Sequence, residues 1–234
     1  MHKIAISEAA VDRMTARTGK LHPFDVIDPR NTALLVIDMQ NYFVKAGHQG
    51  EIPLAREIVP NINRLAADLR LRGGSIVWIR NGTTDTRESW STYHESLMTP
   101  ERMQRRYTAM EIGQDGFEFW HSNDIRPQDA QVTKKRYSAF IQGSSDIERH
   151  LRDRAIDTLL ITGTATNVCC ESSARDAMML NFKVVMVSDG LATHNDEEHN
   201  ATLSAFYGLF GDVQTTDEVM QSLERGDKAR AAAA

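Results

Sequence analysis

Leu159–Asp176, LLITGTATNVCCESSARD, decides how the rest of the chain is read. Leu159 to Thr162 is an apolar run that reads as a buried strand. Gly163, Thr164 and Ala165 follow as a small-residue turn. Thr166 or Asn167 stands where a helix N-cap belongs, and Glu171 onward, with Arg175 and Ala-Met-Met-Leu, reads as helix. Cys169 and Cys170 therefore fall in the first turn of a helix that starts just past a strand's carboxyl end. A thiol there meets the positive end of the helix dipole and unpaired backbone N–H groups, both of which favour the thiolate. The same N–H groups would hold the oxyanion formed when a thiolate attacks a carbonyl. The pattern is a nucleophile elbow built on cysteine.

Working outward, the flanking sequence alternates strand and helix. Ala33 to Asp38, ALLVID, is a continuous apolar run closed by a carboxylate, as strands buried on both faces are. A helix over Ala55–Arg72 carries Ile58, Ile62, Leu65 and Leu69 at helical spacing, and Gly73-Gly74 stops it. Ser75 to Arg80 is the second strand, so these pieces form a βαβ crossover. Ala130 to Lys134 is a short third strand. A helix over Ser144–Arg154 leads into the elbow strand. Lys183 to Asp189 is the fifth strand, His194 to Tyr207 a helix capped by Asn195, Asp212 to Thr215 an edge strand, and Asp217 to Glu224 a final helix. The alternation predicts an α/β fold: a doubly wound, mostly parallel six-stranded sheet with helices on both faces, its ligands bound at the strands' carboxyl ends.

Three segments stand outside that pattern. Residues 1–30 read as an N-terminal arm, either a contact for a partner subunit or a loosely packed leader. Within the domain of residues 31–225, residues 83–129 scatter Trp90, Tyr93, His94, Tyr107, Phe117, Phe119, Trp120 and His121, as a lid or substrate-binding insertion does. Aromatics in such a segment serve local packing or ligand contact. Residues 226–234 read as a flexible tail.

Composition narrows the function classes. With 234 residues and 41% apolar content, the chain buries a full core as one domain. A net charge of −5 and no long Lys/Arg stripe argue against nucleic acid as a partner. No apolar run has membrane-spanning length, and the first residues lack the apolar segment of a signal peptide. The two cysteines are adjacent, with Cα atoms about 3.8 Å apart, too close for an ordinary disulfide. They fit a reducing cytoplasm, and without a ligand-spaced His cluster they make no zinc site.

Asp38, Lys134 and Cys169 each end or follow a different predicted strand, so the architecture gathers them in one crevice. Singly, Asp38 reads as a turn cap, Lys134 as a solvated lysine and Cys169 as a small buried hydrophobe. Together, an ammonium beside a thiol favours thiolate, and a carboxylate there takes its proton.

ALLVIDMQ, KKRYSAF and GTATNVCCESSARDA, in this order and spacing, resemble the isochorismatase-like cysteine hydrolases over roughly residues 31–217. The resemblance implies Asp38 as general base, Lys134 rather than Lys135 as the cationic partner, and Cys169 as nucleophile. It implies a cis peptide at Thr164–Ala165, the N–H groups of Ala165 and Cys169 as oxyanion hole, and Cys170 as packing. Within the family the motifs look closest to ureidoacrylate amidohydrolases, which cleave the carbamoyl or ureido end of a small acid. Gln40, Asn41, Asn81 and Tyr137 are then the expected substrate contacts. The metal-binding Asp-x-His of the nicotinamidase branch has no counterpart in NGTTDTRESW, so neither metal nor cofactor is expected. The true isochorismatases lack the nucleophilic cysteine, so Cys169 favours amide chemistry. The resemblance also implies a homo-oligomer. Two alternatives remain: a non-amide substrate on the same fold, and a catalytically silent binding protein.

Overall fold

The computed structural model describes residues 1–233. Six strands form one sheet: β1 (Thr32–Ile37), β2 (Ser75–Asn81), β3 (Ala130–Lys134), β4 (Thr158–Thr164), β5 (Lys183–Ala192) and β6 (Asp212–Gln214). Their order is β3-β2-β1-β4-β5-β6, and every pairing is parallel. The chain winds outward from β1 in one direction, then returns to β4 and winds in the other. The order thus reverses between β1 and β4, where an open α/β sheet leaves a crevice at its carboxyl edge.

Nine α-helices accompany the sheet among the described residues: α1 (Glu8–Thr18), α2 (Asn41–Val44), α3 (Ala55–Leu71), α4 (Thr86–Ser89), α5 (Pro100–Met110), α6 (Ile147–Arg152), α7 (Glu171–Met179), α8 (Asp196–Phe206) and α9 (Thr216–Ala233). The period of two along each strand divides the core. Leu34 and Val36 of β1 join Ile76 and Trp78 of β2 under α3 and α9. Ala33, Leu35 and Ile37 face the opposite way, beneath α1, α6, α7 and α8. Because both faces are covered, β1 and β4 are buried along their whole length, which is why they read as unbroken apolar runs.

The structure departs from the sequence expectations at several element ends. Gly163 and Thr164 belong to β4 rather than to a turn after it. Gly163 has φ 108°, and a Cβ there would stand 2.0 Å from Ile37 O on β1, so only glycine lets the two central strands approach. The first thirty residues are not a loose leader. Ser7 caps α1, Ala10 and Met14 are buried in the core, and Arg13 Nη2 donates to Ser204 O and Tyr207 O, each at 3.0 Å. Helix α9 runs past Glu224 to Ala233, where the sequence predicts a flexible tail; Ala, Lys and Arg are strong helix formers, and the first part of α9 is anchored by buried Val219 and Leu223. Ala234 lies outside the described residues. No described helix is long and apolar enough to cross a membrane.

Candidate active site

Three strand ends deliver the chemistry. Asp38 follows β1, Lys134 is the last residue of β3, and Cys169 sits in a π-helical turn, Thr166–Cys170, between β4 and α7. Asp38 takes a left-handed φ of 54°. Its N–H bonds to Ile79 O at 2.8 Å, and Thr164 Oγ1 donates to its carbonyl at 3.1 Å. The residue is thus locked to both neighbouring strands.

Asp38 and Lys134 are completely buried, and Lys134 Nζ lies 2.8 Å from Asp38 Oδ2. Nζ also donates to Arg136 O at 3.0 Å. Neither carboxylate oxygen receives an aligned hydrogen bond among the described residues, so the pair is held by charge at contact distance. Cys169 is close enough to both that each acts on its thiol, Asp38 raising and Lys134 lowering its pKa. Lys135, by contrast, is partly exposed and stands 3.6 Å from Asp85 Oδ2. Cys170 is buried, with its Sγ 3.9 Å from Thr162 O.

Burial disfavours the Lys134 ammonium, but the adjoining Asp38 carboxylate and Cys169 outweigh it and the pKa rises. The Cys169 thiol is pushed up to about 12, chiefly by burial and then by Asp38, against the lowering influence of Lys134 and Arg106. The sequence predicts a thiolate favoured by a helix N-terminus; in the folded protein desolvation and a neighbouring anion override that dipole. Cys169 is thus held as a thiol beside the Asp38 carboxylate.

The predicted N-caps are also otherwise engaged. Thr166 Oγ1 pairs with His199 Nδ1 at 2.9 Å, and Asn167 Oδ1 accepts from Thr193 Oγ1 at 2.7 Å. The turn opens instead at Ala165, without a side-chain cap, and Cys170 N–H reaches Ala165 O at 3.2 Å. The Thr164–Ala165 peptide is cis.

A cavity of about 360 Å³ opens onto Cys169. Tyr42, Phe43 and Ile52 line it from the segment after β1, and Tyr137, Ala165, Val168 and His194 from the other strand ends. Tyr93, Leu97, Met98, Arg102 and Arg106 come from residues 83–129, so that segment does reach the site. Among the described residues no Asp or Glu lines the cavity. A larger open groove, about 520 Å³, lies at the amino ends of the strands near Lys183 and Gly211, away from the three residues.

Of the four expected substrate contacts, only Tyr137 lines the cavity. Gln40 is buried with its amide fully occupied by backbone: Nε2 donates to Asn81 O and Phe117 O, and Oε1 accepts from Asn81 N. Asn41 donates to Asp115, which also pairs with Lys45 and His48 outside the cavity. Asn81 is buried and accepts from Arg106 Nη2 at 3.0 Å, so it touches the site through that guanidinium. Arg106 itself escapes the sequence reading. Its only signal there is the (i, i+4) spacing of Arg102 and Arg106, which puts both on one face of α5. Among the described residues no three His, Cys, Asp or Glu side chains converge as metal ligands do.

Relatives share this architecture. The isochorismatase domain family matches residues 32–218. An uncharacterised isochorismatase family protein of Bacillus subtilis is 31% identical over 198 residues, covering 85% of this chain and 97% of that protein. The ureidoacrylate amidohydrolase RutB of Klebsiella pneumoniae is 31% identical over 208 residues, covering 80% of this chain and 86% of the enzyme. Among solved structures, a cysteine hydrolase from Pseudomonas syringae pv. phaseolicola superposes with a TM-score of 0.73 at 25% identity, covering 86% of this chain and 95% of that one. A parallel sheet in this order, a domain match over most of the chain and relatives covered nearly end to end have one reading: the chain belongs to the isochorismatase family of hydrolases.

Proposed function

We propose that the protein is a cysteine-dependent amidohydrolase that cleaves a C–N bond of a small amide, ureide or carbamoyl compound through a thioester. One observation carries the reading: a fully buried Asp38–Lys134 pair at 2.8 Å, with the only cavity-lining thiol within reach of both among the described residues. A carboxylate paired with an ammonium and set beside a buried thiol is a candidate proton acceptor for it.

Asp38 takes the Cys169 proton as Sγ attacks the substrate carbonyl. The oxyanion lies against the N–H groups of Ala165 and Cys169, both of which line the cavity. Protonated Asp38 delivers that proton to the departing amine or ammonia as the C–N bond breaks, leaving an acyl or carbamoyl thioester. Water then attacks the thioester carbon while Asp38 accepts its proton. The C–S bond breaks and the proton returns to Cys169 Sγ. Lys134 stays charged throughout and balances each stage in which Asp38 or the thiol is anionic. The ureidoacrylate amidohydrolase relative supports a ureido or carbamoyl substrate within this class.

The test is ammonia release from a panel of ureido acids, carbamoyl amino acids and simple aromatic amides. The wild type is expected to turn over at least one member, and Cys169→Ala to lose turnover by about a thousandfold or more while keeping its fold. Near-normal hydrolysis by Cys169→Ala would sink the mechanism.

A further inference from the structure

Arg106 is a buried charged group of the cavity that the reaction leaves unused. It lies on α5, is only 6% exposed, and lines the same cavity as Cys169. A guanidinium carries five N–H donors and a permanent charge. Here Nη2 donates to Asn81 Oδ1, a neutral acceptor, and buried Nε has no partner among the described residues. The rings of Tyr42 and Tyr93 stand 5.4 and 5.7 Å from its central carbon, and among the described residues no carboxylate forms an ion pair with it. A buried cation without an anion is costly and is retained where something completes it. The chain holds this cation in place from three sides, with Asn81 and two tyrosines, and leaves a donor edge unpaired.

We propose that Arg106 is the anion subsite of this cavity, and that the substrate is a small acid whose carboxylate pairs with the guanidinium while its amide or ureide carbonyl meets Cys169. Among the described residues the permanently charged side chains that line the cavity are Arg106 and Arg102, one turn apart on the same helix face, and both are cationic. A volume of about 360 Å³ fits a molecule of a dozen or so heavy atoms rather than a polymer. Asn81 is then a positioning residue: it fixes one Nη and leaves the remaining donors for the ligand. This rests on the amidohydrolase reading for the position of the carbonyl, but the anion subsite has a readout independent of turnover.

The experiment measures equilibrium binding of two probes to Cys169→Ser by calorimetry: 3-ureidopropionate and its neutral amide, 3-ureidopropionamide. The acid is expected to bind about tenfold or more tightly than the amide, as a charge-assisted pair requires. Adding Arg106→Gln is expected to bring the two affinities within about twofold of each other, and Arg106→Lys to restore part of the preference. Equal binding of acid and amide to the Arg106-containing protein, or a preference that survives Arg106→Gln, overturns the subsite. The first comparison needs no change at Arg106, so misfolding of that variant cannot mask the result. Acid-selective binding without hydrolysis by wild type would reject the amidohydrolase reading and keep the anion subsite. Hydrolysis of neutral amides in preference to their acids would do the reverse.

Discussion

Cys169, the proposed nucleophile, is held as a thiol. Burial and Asp38 hold its pKa at about 12, so the reagent-accessible thiolate is a minute fraction at neutral pH. Alkylation by iodoacetamide in the absence of substrate is therefore expected to rise about tenfold per pH unit between pH 7 and 10 without a plateau. A plateau below pH 8 would mean a preformed thiolate. The same electrostatics predict opposite effects for Asp38→Asn. Removing the anion lowers the thiol pKa, because Lys134 and Arg106 then act unopposed, so alkylation at pH 8 accelerates. Turnover is expected to fall by about a thousandfold or more, because the proposed base is gone. Parallel loss of labelling and hydrolysis would show that Asp38 activates the thiol in the resting state instead.

At the scale of elements, helix α1 is part of the core. Met14 is 1% exposed and shares its cluster with Phe206 and Tyr207, while His2 stacks on buried His199 with ring centroids 4.1 Å apart. His199 in turn pairs with Thr166 of the nucleophile turn, so the N-terminal segment packs one residue away from the site. Met14→Ala is expected to cost about 3 kcal/mol and lower the melting temperature by about 6–12 °C. A loosely attached arm would leave it unchanged. The contrast with the sequence expectation has a physical cause. An amphipathic eleven-residue helix carries no mark of which surface it covers, and the receiving surface on α8 and the turn after it is assembled from residues nearly two hundred positions away. Residues 83–129 stand out in the sequence as an insertion, because their aromatics break both regular periods. Which of their side chains reach the cavity was not legible, since that depends on how α5 docks.

The whole molecule carries an acid sensitivity that its burial pattern explains. His94 and His199 are buried with pKa values depressed to about 4, in each case mainly by desolvation; nearby Arg106 adds to the effect at His94 and His2 at His199. Each has a pKa near 6.5 when unfolded, so between pH 6.5 and 4 the unfolded chain binds more protons and stability falls as pH falls. The loss is on the order of 2 kcal/mol for each at pH 5 relative to pH 8. His22, whose pKa is raised by its hydrogen bond to Asp212, works in the opposite direction and loses its contribution as pH rises. Neither ring nitrogen of His94 has a partner among the described residues, and Trp90, Tyr93 and Tyr107 pack around the ring. His94→Phe is expected to raise the melting temperature at pH 5 by about 4–8 °C more than at pH 8. An equal shift at both pH values would remove His94 from the account.

By itself the sequence determined the doubly wound sheet and the strand ends that carry Asp38, Lys134 and Cys169. Strands covered on both faces must be apolar throughout, and the polar residue that ends each run marks the edge where ligands bind. Tertiary structure alone decided the rest. It made the cysteine a thiol rather than a thiolate, because burial and the carboxylate of another strand outweigh a local helix dipole. It turned Gln40 into a backbone clasp and Asn81 into a holder for Arg106. It also brought a helix of the insertion to the cavity of Cys169 and left a buried guanidinium lining it, a juxtaposition of residues 106 and 169 that no local pattern records.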